Sequence, residues 1–216
     1  YLILNEIKNQ TINFAEHQIT LYQICHNTFK HEWLLRENER DEQALELITR
    51  FIDSISSYEE SFVAKVLAEA WNRKGAILES SKRYSEALSC YNQAIKSNAN
   101  TLSYWYDKAE LLEKLNSAES LRCYRQLLEL APNDNELWRK TGIVLEDLSD
   151  YSAALSCYNG ALKIAPHDSW TWANKGKCLE NMGKYKEALG CYDKAILYEP
   201  TTSLFWNYKI KLLLLL

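Results

Sequence analysis

Apolar residues toward the C-terminus recur at helical spacing. One face of a predicted helix carries five of them, Ala188, Leu189, Tyr192, Ala195 and Ile196. Gly183 precedes this helix, and Pro200 follows it because proline cannot continue helical hydrogen bonding. A second helix is predicted around Trp172, so the pattern indicates two helices joined by a turn at Gly183.

The same landmarks return 34 positions earlier. Five pairs match: Trp172 and Trp138, Gly176 and Gly142, Tyr185 and Tyr151, Tyr192 and Tyr158, Pro200 and Pro166. Two earlier copies carry part of the set, namely Trp105, Ala109, Tyr124 and Pro132, and before them Trp71, Gly75, Tyr84 and Tyr91. The period is constant except that one residue is missing between Ala109 and Tyr124. Because one helix pair buries little apolar surface alone, the pattern predicts a stack of pairs with a shared core.

A 34-residue helix-turn-helix unit with Trp, Gly, Tyr, Ala and Pro at these offsets resembles the tetratricopeptide repeat (TPR). The resemblance implies an all-α fold, a right-handed α-α superhelix (TPR solenoid) with an N-terminal helical extension. We expect repeats at residues 68–101, 102–134, 135–168 and 169–202, and the first helix of a fifth repeat or a cap at 203–216. Side-chain oxygens precede each following helix and are expected to cap it: Thr101, Asp134, Asp168 and Thr202.

Residues 1–67 lack the repeat landmarks and are expected to form a helical region. A degenerate repeat is an alternative interpretation, because three residues fit the repeat slots at a distance of 43 instead of 34: Ala44, Ile48 and Phe51. A charged connector is predicted at residues 36–42. Ser57 and Glu60 fit a capping box, which predicts that the helix containing Trp71 begins near Tyr58.

Composition and charge exclude several classes of function. No apolar run reaches the roughly 20 residues of a membrane span, so no membrane partner is expected. Residues 1–67 carry a net charge of −5 and the remainder +1, and neither has the basic stripe of a nucleic-acid-binding surface. No phosphate-binding loop, nucleophile elbow or metal-binding histidine pair is present. We therefore predict no enzymatic activity, no cofactor and no metal site.

Four cysteines occupy one slot in successive repeats: Cys90, Cys123, Cys157 and Cys191. Neighbouring helices lie about 8–10 Å apart, whereas a disulfide needs Cα atoms within about 7 Å. These cysteines are therefore predicted to be packing residues, and free thiols indicate a reducing, cytoplasmic location. A mixed cluster at His17, Cys25, His26 and His31 matches no zinc spacing.

The resemblance implies that the first helix of each repeat lines a concave groove that binds a protein or peptide. Chaperone-binding members of the family hold a peptide carboxylate with a set of Lys, Arg and Asn residues, and here only Lys140 keeps the required charge. Sugar-transferase members carry an Asn at one slot of every repeat, and here only Asn174 does so. Neither mode is expected here. The candidate partner-binding residues are Asn72, Arg73, Tyr106, Glu110, Glu113, Arg139, Lys140, Glu146, Trp170, Asn174, Lys177, Glu180 and Tyr208.

A row of glutamates follows the Gly/Ala slot by four residues in every repeat: Glu79, Glu113, Glu146 and Glu180. Such a row favours a partner with Lys or Arg. The alternative is a set of solvated glutamates, neutralised by neighbours such as Lys114 and Lys177.

Trp170 lies two residues before Trp172, so its side chain points about 200° away from that residue. We expect it to face the groove as a binding hot spot. The alternative is that it packs on the loop of the preceding repeat.

These observations predict a protein-protein interaction module within a larger protein or assembly, since the chain begins without Met and ends inside an apolar helix. One alternative is the regulatory region of a multidomain enzyme (protease, kinase or transferase) whose catalytic domain lies outside this chain. Another is structural self-assembly through the solenoid ends, with the apolar C-terminal helix at residues 206–216 stacking on another copy.

Overall fold

A computed structural model describes residues 14–56, 61–116 and 118–215 of the chain. Those residues form eleven α-helices and no strand, which confirms the all-α fold class. The helices are α1 (Phe14–Glu37), α2 (Asp41–Ile55), α3 (Ser61–Ser80), α4 (Tyr84–Ser97), α5 (Leu102–Lys114), α6 (Ser120–Leu130), α7 (Asn135–Asp147), α8 (Tyr151–Ile164), α9 (Ser169–Asn181), α10 (Tyr185–Tyr198) and α11 (Ser203–Leu215).

The chain divides into two compact units. Unit 1 is Tyr1–Leu111 and contains α1 to α4 with most of α5, and unit 2 is Leu112–Leu216 and contains α6 to α11. Within each unit, helices that follow one another along the chain pack side by side. The repeat boundaries predicted from the sequence stay predictions.

Three residues separate the two helices in four of the five pairs, and five residues separate α5 from α6. One residue in each turn has a positive φ, between 52° and 73°: Glu39, Lys82, Asn116, Ser149 and Gly183. In four of these turns the next backbone N–H donates to the carbonyl of a leucine five residues earlier, at 2.8 to 2.9 Å. The turn between α1 and α2 therefore has the geometry of the repeats, which supports the degenerate-repeat interpretation. Only residues 38–40 separate α1 from α2, so the predicted connector at 36–42 was too long.

The tyrosines of the second helices form the centre of the packing. Tyr91, Tyr124, Tyr158 and Tyr192 are at most 1% exposed. Three of their rings lie against a glycine of the first helix, so closely that a Cβ on Gly75, Gly142 or Gly176 would stand 2.5 to 2.6 Å from the tyrosine Cε1. The glycine therefore allows the two helices to approach closely.

The tryptophan row is less deeply buried than the tyrosine row. Trp71, Trp105, Trp138 and Trp172 are half-buried. Four tryptophans donate the indole N–H to the backbone carbonyl of the residue six positions earlier, at 2.8 to 2.9 Å: Trp105 to Ala99, Trp138 to Pro132, Trp172 to Pro166 and Trp206 to Pro200. These four tryptophans therefore hold the loop that precedes their own helix.

The predicted N-cap residues make different side-chain hydrogen bonds. The Asp134 carboxylate accepts from the backbone N–H groups of Glu136 and Leu137, as predicted. Asp168 makes no such cap and accepts from the Thr171 hydroxyl instead. Thr202 donates its hydroxyl to Glu199. The proposed capping box at Ser57 and Glu60 lies outside the described residues.

Candidate functional site

The glutamate row of the first helices is bound to the tyrosine row of the second helices. Each buried tyrosine donates its hydroxyl to the glutamate of its own repeat, at 3.0 Å for Tyr91 to Glu79, 2.7 Å for Tyr124 to Glu113, 3.0 Å for Tyr158 to Glu146 and 2.7 Å for Tyr192 to Glu180. Burial raises the pKa of three of these phenols, Tyr91, Tyr158 and Tyr192, well above the ordinary value. The glutamates are thus neither mainly solvated nor simply aimed at a partner, because each accepts from a buried tyrosine hydroxyl.

Sequence reasoning missed this pairing although its signal is present. The glutamate precedes its tyrosine by 12 residues in three repeats and by 11 in the repeat that lacks one residue. The glutamate and the tyrosine are therefore both present in every repeat, even in the one whose spacing differs, as expected of two residues that contact each other.

Glu146 is the most deeply placed of the four. It is 8% exposed. Besides the Tyr158 hydroxyl, its carboxylate accepts from the Asn181 amide at 3.1 Å and lies 3.5 Å from the Lys177 ammonium. A basic group of a partner would have to displace these donors to reach the Glu146 carboxylate.

In unit 1 the predicted partner-binding residue Arg73 forms ion pairs with residues of its own unit. Its guanidinium forms ion pairs with Glu69 at 2.8 Å and with the fully buried Glu32 at 3.0 Å, and it lies 4.5 Å from the centre of the Phe29 ring. Glu32 and Phe29 belong to α1. Arg73 therefore ties α3 to α1, a structural role that its slot in the repeat did not indicate.

Asn72 connects α3 to α5. Its side-chain amide donates to the Asp107 carboxylate at 2.7 Å, and burial raises the pKa of Asp107. Tyr106 is half-buried and Glu110 is exposed on the same helix as Asp107. The outward positions of unit 1 are therefore rich in carboxylates.

In unit 2, Trp170 is 44% exposed, as its offset from Trp172 predicts. Its ring meets the fully buried Phe205 edge to face, with 5.1 Å between centroids. The ring thus packs on α11, the helix that follows in the chain.

The other predicted partner-binding residues of unit 2 are exposed to different extents. Asn174 and Tyr208 are half-buried, and the Tyr208 ring lies 5.6 Å from that of Tyr192. Lys177 is exposed. Lys140 is half-buried, and Arg139 lies 3.6 Å from Glu136.

The cysteines are packing residues in the described parts of the chain. All six are buried and free, and burial raises the pKa of Cys25 and of Cys178 to about 11. Among the described residues no group of three or more His, Cys, Asp and Glu side chains is placed to hold a metal ion. His17 belongs to α1, but its side chain lies outside the description. None of the described helices is long and apolar enough to cross a membrane.

Comparison with known families and structures agrees with the repeat pattern. Tetratricopeptide repeat models match residues 68–100 and 169–201, and a second tetratricopeptide repeat model matches 110–169. Together they cover more than half of the chain. A search of curated protein sequences found no significant match.

Solved structures with the same fold include three that illustrate its range. YrrB, described as a TPR protein with an unusual peptide-binding site, is 22% identical over 84% of this chain and 90% of its own, with a TM-score of 0.68. MamA from Desulfovibrio magneticus RS-1 is 15% identical over 82% and 96%, with a TM-score of 0.68. A tetratricopeptide repeat protein from Parabacteroides merdae is 16% identical over 87% and 72%, with a TM-score of 0.75.

The family models therefore match the same repeats that the landmark residues define. TPR proteins are generally scaffolds for protein interaction without catalytic activity of their own. The chain belongs to the tetratricopeptide repeat family.

Proposed function

We propose that this scaffold binds a peptide segment of a partner protein on unit 2, at a surface we call the Trp170 patch: Trp170, Asn174, Leu204 and Tyr208. The single observation that carries the proposal is the large exposed fraction of Trp170, 44%, on an otherwise well-packed helix. Leu204 is 37% exposed and belongs to the adjacent helix. An exposed tryptophan is among the commonest interface hot spots.

The core holds the Trp170 ring of this patch in place. The Trp170 ring rests against Phe205, which is fully buried, so its orientation is fixed by the core. A prearranged aromatic surface loses little conformational entropy on binding. Asn174 lies one helical turn after Trp170, where its side-chain amide can donate to and accept from a peptide backbone.

A peptide is the favoured class of ligand because YrrB, which has the same fold, is described as having a peptide-binding site. Around the Trp170 patch we assign Arg139, Lys140 and Lys177 to the rim. On unit 1 we propose a separate contact surface at Asn72, Tyr106 and Glu110, where basic groups of the partner meet carboxylates. Glu113, Glu146 and Glu180 are left out, because their carboxylates accept from buried tyrosines.

A random peptide library displayed on phage supplies the probe. Peptides enriched on the wild-type chain are synthesised, and their affinity is measured for Trp170→Ala and Asn174→Ala. Loss of a hot spot costs about 2 kcal/mol or more, so we expect Trp170→Ala to weaken binding by at least about 30-fold. Trp33→Ala is the matched control, because Trp33 is 54% exposed on α1 of the other unit.

Thermal unfolding of each variant separates binding from folding. If the folded Trp170→Ala variant binds the peptides with unchanged affinity, Trp170 is not a binding residue and the proposal is refuted. Equal losses for Trp170→Ala and Trp33→Ala would show that the peptides bind exposed tryptophans without a site. The alternative of a regulatory region in a multidomain enzyme has no structural observation in its favour and stays a prediction.

A further inference from the structure

Helix α6 of the second repeat begins later than the second helices of the other repeats. It is 11 residues long, whereas α4, α8 and α10 each have 14, and all four end six residues after their buried tyrosine. The three longer helices also begin with a tyrosine, seven positions before the buried one: Tyr84, Tyr151 and Tyr185. Counted back from Tyr124, the same position is Ser117, and no residue between these two is aromatic. The second repeat therefore lacks the first tyrosine.

In two of the other repeats this first tyrosine packs on the core. Each packs against a buried cluster that includes the alanine three residues after it and an apolar residue of the next first helix: Ala87 and Leu111 for Tyr84, and Ala154 and Cys178 for Tyr151. The residues at the two corresponding positions of the second repeat are Ser120 on α6 and Val144 on α7.

Ser120 and Val144 line an open cavity of about 380 Å³. Ala118, Asp147 and Leu148 also line it and are exposed, so the cavity can be entered from solvent. All of its lining residues belong to unit 2. Cavities of about 300–1,000 Å³ accommodate small organic groups. The second repeat thus has an open space beside the positions on which other repeats pack a tyrosine.

The lining of the cavity suits a phenol group. Ala118, Val144 and Leu148 offer apolar contact to a ring. Ser120 is 2% exposed and stands where the other three repeats have an alanine, so it brings a hydroxyl to a buried position. A phenol hydroxyl can donate to or accept from a serine hydroxyl, whereas a phenyl ring cannot.

The charge at the cavity favours a basic neighbour of that phenol. The described lining residues include two carboxylates and no basic side chain. Glu113 accepts from the Tyr124 hydroxyl at 2.7 Å, and Asp147 is exposed at the mouth. We propose that the cavity binds the tyrosine side chain of a partner peptide, with an adjacent Lys or Arg of that peptide meeting Asp147. The peptide's ring then takes the kind of place that the chain's own tyrosine takes in the neighbouring repeats.

This inference rests on the proposed function for the class of partner, a peptide, but it concerns a second site. The cavity has no residue in common with the Trp170 patch. Trp170→Ala should therefore leave binding at the cavity unchanged, and failure of one site does not entail failure of the other.

Titration of the ¹⁵N-labelled chain with short peptides, followed by nuclear magnetic resonance, tests the proposal. The probe is N-acetyl-Tyr-Lys-amide, and it should shift the backbone amide signals of Ser120, Val144 and Leu148. The analogue with Phe in place of Tyr should bind about 5-fold more weakly, because it lacks the hydroxyl. The analogue with Ala should not shift these signals. Equal shifts with the Ala analogue, or none with the Tyr probe, would overturn the proposal.

Two variants with matched controls locate the site. Ala118→Tyr places a ring of the chain itself at the cavity and should weaken binding of the Tyr probe by at least about 10-fold. Lys186→Tyr is its control, because Lys186 holds the same repeat position on α10 and is exposed. Asp147→Asn should weaken binding about 3-fold, as expected for an exposed ion pair. Glu187→Gln, an exposed carboxylate on α10, is the control and should bind as the wild type does.

The remaining outcomes also decide the proposal. A folded Ala118→Tyr variant that binds the Tyr probe as the wild type does would overturn it. If circular dichroism shows that this variant unfolds, Asp147→Asn decides alone, and its unchanged affinity would overturn the proposal. Tyramine carries the phenol and an ammonium group without a peptide backbone. If tyramine binds as tightly as the Tyr probe, the assignment to a peptide is wrong.

Discussion

The hydrogen bond between Tyr158 and Glu146 should contribute more to stability than its counterparts. The Tyr158→Phe substitution removes only the hydroxyl, and the ring keeps its place against Gly142. The Glu146 oxygen Oε2 then loses its tyrosine donor in a position where the residue is 8% exposed, so water replaces that donor poorly. Oε1 keeps the Asn181 amide and the Lys177 ammonium.

The expected cost follows from burial and charge. Hydrogen bonds to charged groups contribute about 1.5–3 kcal/mol, and the bond to Glu146 should lie in the upper part of this range. In the last complete repeat, Glu180 is half-buried, and water can reach the oxygen that Tyr192→Phe would free. We therefore expect about 2–3 kcal/mol for Tyr158→Phe and about 1 kcal/mol for Tyr192→Phe.

Urea unfolding followed by far-ultraviolet circular dichroism measures both variants. A double-mutant cycle with Glu146→Met isolates the pair, and a coupling of about 1–2 kcal/mol is expected because each residue contacts the other directly. The midpoint should shift without a change of slope, which would indicate that the unfolded state is unaffected. The reasoning is refuted if Tyr158→Phe costs no more than Tyr192→Phe, or if the coupling is within error of zero.

Two further predictions concern packing and pH. Gly176→Ala should destabilise the protein by about 1–3 kcal/mol, because the new Cβ would stand 2.6 Å from the Tyr192 ring. Gly190→Ala should stabilise it by about 0.5–1 kcal/mol, because no atom lies within 4 Å of the new Cβ. If thermal or urea unfolding shows that both variants change stability in the same direction, the close contact between Gly176 and Tyr192 is contradicted. Burial raises the pKa of Tyr91, Tyr158 and Tyr192 in the folded state, whereas the tyrosines of the unfolded chain ionise near pH 10. Above about pH 10 the free energy of unfolding should therefore fall by about 1.4 kcal/mol per pH unit for each of these tyrosines. Urea unfolding at several alkaline pH values should show a shallower fall for Tyr158→Phe, and equal slopes would mean that the Tyr158 pKa is not raised.

Local patterns determined the helices, their pairing and the turns. Periodicity identifies an apolar face, and Gly183 marks a turn that needs a positive φ, because both depend on residues close in the chain. The exposure of Trp170 was predictable for the same reason, since a helix fixes the angle between neighbouring side chains.

The partners of the polar side chains were not predictable from the period. Glu146 occupies an outward slot, yet its rotamer turns toward Tyr158 on the next helix, because a buried hydroxyl needs an acceptor. Arg73 bonds Glu32, 41 residues away in a segment without repeat landmarks, so no spacing rule could connect them.

The sequence by itself determined that this chain is an array of helix pairs, and which residues of each pair belong to its core. Only the tertiary structure decided which outward residues remain available to a partner, since that depends on contacts between helices that are distant in the chain.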